Sequence, residues 1–270
     1  MALTDFQRAI CRLIADNQIA AGESYVAGGA ALNELLAGAR ISRDIDLFHD
    51  TDEAVAISWD ADRRLLERNG FAVDVLRERP SYVEAAVAAA GESVRMEWAR
   101  DSAYRFFPLV RHDELGLVLH PFDLATNKVL ALVGRLEVRD WIDVMHCAER
   151  VQPLGYLAWA ASGKDPGFGP TAILEQAARS SHYSADEVAE LAFAGKTPDA
   201  GSLSRTWRTL LDAAHQIVRI LPVAEIGKCV LTRHGDFFTG DADEATRAVS
   251  TAELLFHAGS LKGAFPRIVR

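Results

Sequence analysis

Two aspartates one residue apart, Asp44 and Asp46, follow the glycine pair Gly28-Gly29 by 15 residues. The stretch Asp44-Ile45-Asp46-Leu47-Phe48 alternates polar and apolar residues, which is the period of a β-strand. The two carboxylates therefore share one side, and Ile45 and Leu47 turn into a core. Acids held roughly 7 Å apart on a rigid strand can share a divalent cation. Ahead of them, Tyr25-Val26-Ala27 reads as a short strand running into Gly28-Gly29, and AALNELLA (30–37) as a helix stopped by Gly38. Glycines at such a turn let backbone N–H groups approach phosphate oxygens, and the helix start favours an anion. These are the parts that attack of a hydroxyl on the α-phosphorus of a nucleoside triphosphate requires. Metal ions activate the nucleophile and neutralise the departing pyrophosphate.

The elements that must position these residues are also legible. Thr4-x-x-Gln7 is a capping-box start for a helix over 5–16, with Phe6, Ile10, Leu13 and Ile14 at helical spacing. A helix over 52–69 precedes Gly70, and Phe71–Leu76 reads as a strand. Tyr82–Ala89 and Ser93–Ala99 form a hairpin about Gly91, although the Ala-rich first run also fits a helix. In the second run Val94, Met96 and Trp98 share one face, and Arg95, Glu97 and Ala99 the other. Leu115–Leu119 is a further strand, followed by helices over 122–133 and 138–149. After Pro153 a loop at 162–170 leads to helices near 171–179, 185–194 and 204–221. A small hairpin is expected at Cys229–Thr239, about His234-Gly235-Asp236, then a helix near 243–257 and an irregular tail. Strands dominate before residue 120 and helices after it. This predicts an α+β architecture: a catalytic domain at 1–150 and a mostly helical domain at 151–270.

Composition bounds the function. The 270 residues are 49% hydrophobic and 25% charged, as in an ordinary soluble globular protein. No apolar run approaches the roughly 20 residues a membrane-spanning helix needs. The start carries no basic-then-apolar secretory layout, and the three cysteines lack metal-ligand spacing, so a cytoplasmic protein with reduced thiols is expected. Residues 1–150 hold 17 Lys/Arg against 25 Asp/Glu, and the remainder 12 against 13. Such an acidic first part is a poor general nucleic-acid binder; it suits a site that concentrates divalent metal and equally an ordinary solvated surface, so composition alone does not decide.

The segment YVAGGAALNELLAGARISRDIDLF resembles the nucleotidyltransferase superfamily, the DNA polymerase β-like fold, and within it the AbiEii/AbiGii toxin family. The superfamily pattern is a glycine pair or Gly-Ser, a helix, then Asp-x-Asp, which Gly28-Gly29 and Asp44-Ile45-Asp46 match. The family's version continues Gly-Gly-x-Ala-Leu and Arg-x-Ser-x-Asp-Ile-Asp-Leu, matched at Gly28–Leu32 and Arg40–Leu47. The superfamily's third acid lies on a later strand. The run VRMEWARDS resembles it and puts Glu97 where Asp is more usual, with Asp101 the fallback. In FDLATNKVLALVGRLEVRDWIDVMH, Lys128, Arg139, Asp140 and Asp143 match a helix lysine followed by Arg-Asp-x-x-Asp.

The resemblance implies a mixed sheet flanked by helices, with Mg²⁺ or Mn²⁺ held by Asp44, Asp46 and Glu97. It implies a nucleoside triphosphate such as ATP held by Gly28, Gly29, Arg40, Ser42 and Lys128, with Arg139, Asp140 and Asp143 in support. The reaction implied is transfer of NMP to a tRNA 3′ end or a protein hydroxyl, and a cognate antitoxin is the partner implied. Two other outcomes use the same residues: a degenerate fold that binds nucleotide or a partner without chemistry, and transfer to a small-molecule hydroxyl of the aminoglycoside type. Simpler roles stand beside several of these. Arg139 and Asp143, at i,i+4, can form a helix-surface ion pair, and Lys128 can reach solvent from its helix. Glu97 can pair with Arg95 or Arg100. The arginines Arg95, Arg100, Arg105 and Arg111 line a phosphate groove or balance an acidic domain.

Overall fold

A computed structural model of the chain describes residues 3–180 and 183–268. The chain divides into two compact units. One takes the residues up to Ala103, Pro108–His120 and Ala192–Gly195; the other takes Tyr104–Phe107, Pro121–Leu191 and the residues from Lys196 onward. The first unit opens with α1 (Asp5–Ala21), β1 (Ser24–Ala27), α2 (Gly28–Leu35), β2 (Asp44–His49), α3 (Asp52–Arg68), β3 (Ala72–Arg79), β4 (Tyr82–Ala89) and β5 (Glu92–Arg100). The chain then contributes β6 (Tyr104–Arg105) to the second unit and returns for β7 (Val110–His112) and β8 (Gly116–Val118). Their seven strands form one mixed sheet, in the order β3-β4-β5-β2-β1-β8-β7. Pairing is parallel for β2–β5 and β1–β8 and antiparallel elsewhere.

Local chemistry accounts for these elements. The Thr4–Gln7 capping box starts α1: the Gln7 N–H donates to Thr4 Oγ1 at 3.2 Å, and the Thr4 N–H donates to Gln7 Oε1 at 2.9 Å. Gly22 ends α1 at φ 69°. Residues Ala90 and Gly91, both at positive φ, make the two-residue turn between β4 and β5. Along β2 the side chains alternate half-buried and buried, with Ile45, Leu47 and His49 inward. The same face carries Val83 and Ala85 from β4 and Met96 and Trp98 from β5, all buried, and α1 and α3 cover it. Trp59 of α3 meets Trp98 edge-on at 4.8 Å between ring centroids. Truncating either ring to alanine would cost about 3–5 kcal/mol. Beneath them the Asp62 carboxylate accepts from Trp98 Nε1 and Asn17 Nδ2, each at 2.9 Å, and so ties α1, α3 and β5 together.

The second unit continues with α4 (Pro121–Arg135), α5 (Val138–Arg150), α6 (Leu154–Ala161), α7 (Pro170–Ala177), α8 (Ala185–Ala189) and α9 (Ala200–Ile220). It closes with β9 (Lys228–Thr232), α10 (Ala242–Ser250), β10 (Leu254–Ala258) and β11 (Ser260–Leu261). Helices α4 and α5, which the sequence groups with the first 150 residues, lie in this unit. Tyr156, Trp159, Ile217, Leu221 and Val230 form a core.

Three sequence expectations are corrected here. The helix expected over 243–257 stops at Ser250. Ala252 turns to φ 52°, and Leu254–Ala258 becomes a strand paired antiparallel with β9, because Leu254 and Phe256 pack on the core there. The turn expected at His234-Gly235-Asp236 forms, but its return leg makes one bridge, Leu231↔Phe237, and the full-length partner of β9 is β10. The helix expected over 185–194 ends at Ala189, since Ala192 and Ala194 bond the backbone of Ile41 and Ala39 instead. One helix, α6, has no counterpart in the sequence reading.

His49 gives the first unit a pH dependence. The ring is fully buried, its Nδ1 3.3 Å from the Ala99 carbonyl and its Nε2 without a hydrogen-bond partner. Burial pulls its pKa down to about 4. The unfolded chain, titrating near 6.5, therefore takes up its proton first as pH falls. Stability should decline between about pH 6.5 and about pH 4, by on the order of 3 kcal/mol at most from this group. Urea unfolding across that window checks it: His49→Gln should flatten the decline, and parallel profiles for the two proteins would refute the assignment.

Candidate active site

The face of the sheet opposite the core carries the acids. Asp46 pairs across β1–β2 with Ala27, the residue before the glycine corner, and across β2–β5 with Glu97. Glu97 in turn faces Glu84 across β4–β5. Main-chain register thus sets Asp46, Glu97 and Glu84 in one cross-strand row. The next row holds Asp44, Arg95 and Ala86.

The corner itself is built around missing side chains. Gly28 opens α2 at φ 64°, and a Cβ there would lie 1.6 Å from Asp46 Oδ2. Glycine is required twice over, by the left-handed backbone and by the seated carboxylate. A Cβ on Gly29 would lie 2.5 Å from the Arg40 guanidinium and 3.4 Å from Ser42 Oγ. Arg40 is 5% exposed. Its backbone neighbours are pinned by bonds from the Ile41 N–H to the Ala192 carbonyl (2.9 Å) and from the Ala194 N–H to the Ala39 carbonyl (2.7 Å). Ser42 Oγ donates to the Asp44 carbonyl at 3.1 Å, and Gln7 Nε2 donates to the Ser42 carbonyl at 2.9 Å. Ala27 supplies no side-chain cap to α2. The helix start is shaped by backbone N–H groups and the buried Arg40, a combination suited to an anion.

The acids differ in their surroundings. Partial burial raises the Glu97 pKa above the usual carboxylate range; the negative charges of Asp46, Glu84 and Asp44 add to this, and a hydrogen bond from the Tyr82 hydroxyl opposes it. Asp44 is held by Arg95, whose Nε lies 3.1 Å from Asp44 Oδ1 and whose Nη1 lies 3.1 Å from Glu84 Oε1. Among the described residues, no three or more His, Cys, Asp or Glu side chains close into a metal-ligand set. The neighbouring Asp46 and Glu97 nevertheless have the donor chemistry a divalent cation takes: hard oxygens under mutual repulsion that a cation relieves.

Gly28, Gly29, Arg40, Ser42, Asp44, Asp46 and Glu97 are thus brought together in the first unit. The fallback acid Asp101 is not part of the row. It lies about 13 Å along the chain from Glu97, and its Oδ1 accepts from the Ser102 N–H at 2.7 Å. Lys128, Arg139, Asp140 and Asp143 belong to the second unit. There Lys128 Nζ is buried, 2.9 Å from Asp140 Oδ1 and 3.2 Å from Asp143 Oδ2. Arg135 also grips Asp140, and these cations draw the Asp140 pKa down against the opposing effect of burial. The i,i+4 pair of Arg139 with Asp143 is replaced: Arg139 Nε lies 2.5 Å from Glu137 Oε2, and Asp143 turns to Lys128. Residues missed from the sequence are Glu84, Tyr82 and Arg95 as bridge. Counting outward from the turn at Ala90-Gly91 would have set Glu84 opposite Glu97.

The chain shares its fold with solved structures, two of which are described as nucleotidyltransferases. JHP933 from Helicobacter pylori is 16% identical, over 80% of this chain and 95% of its own, with a TM-score of 0.55. MenT4, a nucleotidyltransferase toxin from Mycobacterium tuberculosis H37Rv, is 17% identical over 80% and 83%, with a TM-score of 0.53. A candidate nucleotidyltransferase from Helicobacter pylori is 16% identical over 78% and 94%, with a TM-score of 0.50. No protein-family model matches the sequence, and comparison with curated proteins gives no match.

Three substitutions probe these placements. Gly28→Ala should drive Asp46 from its seat and cost more in chemical denaturation than the roughly 1–2 kcal/mol of left-handed strain. Gly70→Ala, at φ 83° with nothing within 4 Å of its added Cβ, bears the strain alone and should lose only that. In the second unit, Lys128→Met removes the cation shared by the buried Asp140 and Asp143 and should cost about 3–5 kcal/mol in chemical denaturation. A loss below 1 kcal/mol would show that the pairing is not structural.

Proposed function

We propose that this chain is a metal-dependent nucleotidyltransferase of the toxin type, moving NMP from a nucleoside triphosphate to a hydroxyl. The observation that carries this reading is the seat of Asp46: its carboxylate occupies the space of an absent Gly28 side chain, one strand from Glu97. Asp46 and Glu97 would hold a Mg²⁺ or Mn²⁺ ion, with Asp44 joining them when it leaves Arg95. The ion would supply charge neutralisation on the phosphates and activation of the attacking hydroxyl. The N–H groups opening α2 and the Arg40 guanidinium would hold the triphosphate, with Ser42 keeping the Asp44 backbone in place. Glu97 would help to hold the ion and so activate the acceptor hydroxyl.

The likeness to MenT4, a nucleotidyltransferase toxin, supports the toxin reading and with it a cognate antitoxin; a tRNA 3′ end or a protein hydroxyl as acceptor rests on the sequence resemblance. No helix among the described residues is long and apolar enough to cross a membrane. A second reading, a fold that binds nucleotide without turnover, draws on Asp44 being engaged by Arg95 and on Glu97 standing where Asp is usual.

Incubation with each labelled NTP, Mg²⁺ and candidate acceptors decides between them. Asp46→Asn should reduce incorporation by about 10³-fold or more, the scale of a lost catalytic metal ligand or electrostatic group. Incorporation undiminished in Asp46→Asn would sink the mechanism. Tight NTP binding in EDTA with no turnover would establish the binding reading.

A further inference from the structure

Arg95 stands out because it bridges the two cross-strand rows of acids, one of which Arg77 of β3 continues opposite Glu84. It arises from β5 between the strands that carry Asp44 and Glu84, and reaches both: Nε to Asp44 Oδ1 and Nη1 to Glu84 Oε1, each at 3.1 Å. Its own strand neighbour two residues on is Glu97, and Asp46 lies opposite Glu97. Four carboxylates therefore crowd one sheet face. The two flanking ones are satisfied by a guanidinium, and the central pair, Asp46 and Glu97, repel each other. The partners of Arg95 differ in shelter. Glu84 is 12% and Asp44 20% exposed at the side chain, whereas Arg95 is 52% exposed. The cation is thus the movable member, on a long stem at the solvent boundary. The carboxylates are fixed by the sheet.

Resting on the metal-site reading above, we propose that Arg95 is a built-in counter-cation that competes with divalent metal for Asp44 and is released when metal binds. Asp44 then turns its carboxylate to the ion, and Arg95 stays tethered through Glu84 beside the phosphate-binding corner. Arg95 is a positioning residue here: it sets the state of Asp44 without touching the reacting atoms. Glu84 is its anchor on the neighbouring strand. No bond is made or broken; one ion pair is exchanged for metal coordination.

The balance of charges fixes the sign of the effect. Removing the guanidinium takes one positive charge from beside four acids, so an added ion meets a more negative site and no longer has to displace Arg95 from Asp44. Because the pair is half-exposed and screened, the gain is that of a surface-type ion pair, about three- to tenfold in affinity. Arg100, on the same strand, is 3.8 Å from Asp52 and off the acid rows. Arg100→Gln removes the same net charge and serves as the control.

The test is Mn²⁺ titration of the full-length protein, read by electron paramagnetic resonance of free Mn²⁺ in the absence of nucleotide. Arg95→Gln should bind Mn²⁺ about three- to tenfold more tightly than wild type. Arg100→Gln should match wild type, and the gain should vanish in the Asp44→Asn background. Arg95→Lys, which keeps the charge but not the fork, should fall between Arg95→Gln and wild type. Affinity unchanged or weakened in Arg95→Gln overturns the competition, as does an equal gain in Arg100→Gln, while a site sensitive to Asp46→Asn leaves the metal reading standing. If wild type and Arg95→Gln alike bind no Mn²⁺, the metal site itself falls and the counter-cation role with it.

Discussion

Main-chain pairing forces like charges together here, and the rest of the site follows from it. Parallel register between β2 and β5 puts Asp46 beside Glu97, and antiparallel register between β4 and β5 extends the row to Glu84. The like charges of Asp46, Glu97 and Glu84 work against the arrangement. It persists because the opposite face carries Ile45, Leu47, Val83, Ala85, Met96 and Trp98, all buried. A slip of one residue in any of these strands would put that apolar set in water and the acids in the core. The hydrophobic core therefore holds the repulsion in place, and the repulsion is what a cation, whether guanidinium or metal, relieves.

The same economy appears in the second unit with the opposite outcome. Lys128, Asp140, Asp143 and Arg135 are brought together by α4 and α5, and there each charge has a partner. A buried cation with two carboxylates is expensive to desolvate and is held by its geometry. The contrast separates two uses of ionisable residues in one chain: a closed network in the second unit, and on the first unit's sheet a set of acids whose charges are balanced only in part.

Much of this was legible from residue types and spacing. Alternation in DIDLF gave the strand and its facing, and the capping box gave the start of α1. The apolar face of VRMEWAR marked the β5 core. What escaped had physical reasons. Helix α6 is buried on all sides, so LGYLAWAA shows no polar stripe from which a helical period can be read. The strand β10 follows a helix without a proline or glycine break, and only its pairing with β9 makes Leu254–Ala258 extended. Arg95 and Glu84 were visible as residues but not as a bridge, because their meeting with Asp44 needs both the hairpin register and the non-local β2–β5 pairing. The i,i+4 rule failed at Arg139 and Asp143 because Asp143 faces inward, where Lys128 is the nearer cation.

The backbone bonds between Ala39–Ile41 and Ala192–Ala194 have a practical consequence for dissecting the molecule. A short stretch from late in the chain completes the unit that carries the glycine corner, so the two units are interwoven along the sequence. No single cut isolates the sheet unit intact. A fragment ending at residue 120 or 150 would leave the loop bearing Arg40 without the main-chain partners that hold it. Autonomous expression of that half would require residues 192–195 to be grafted back, for instance by circular permutation.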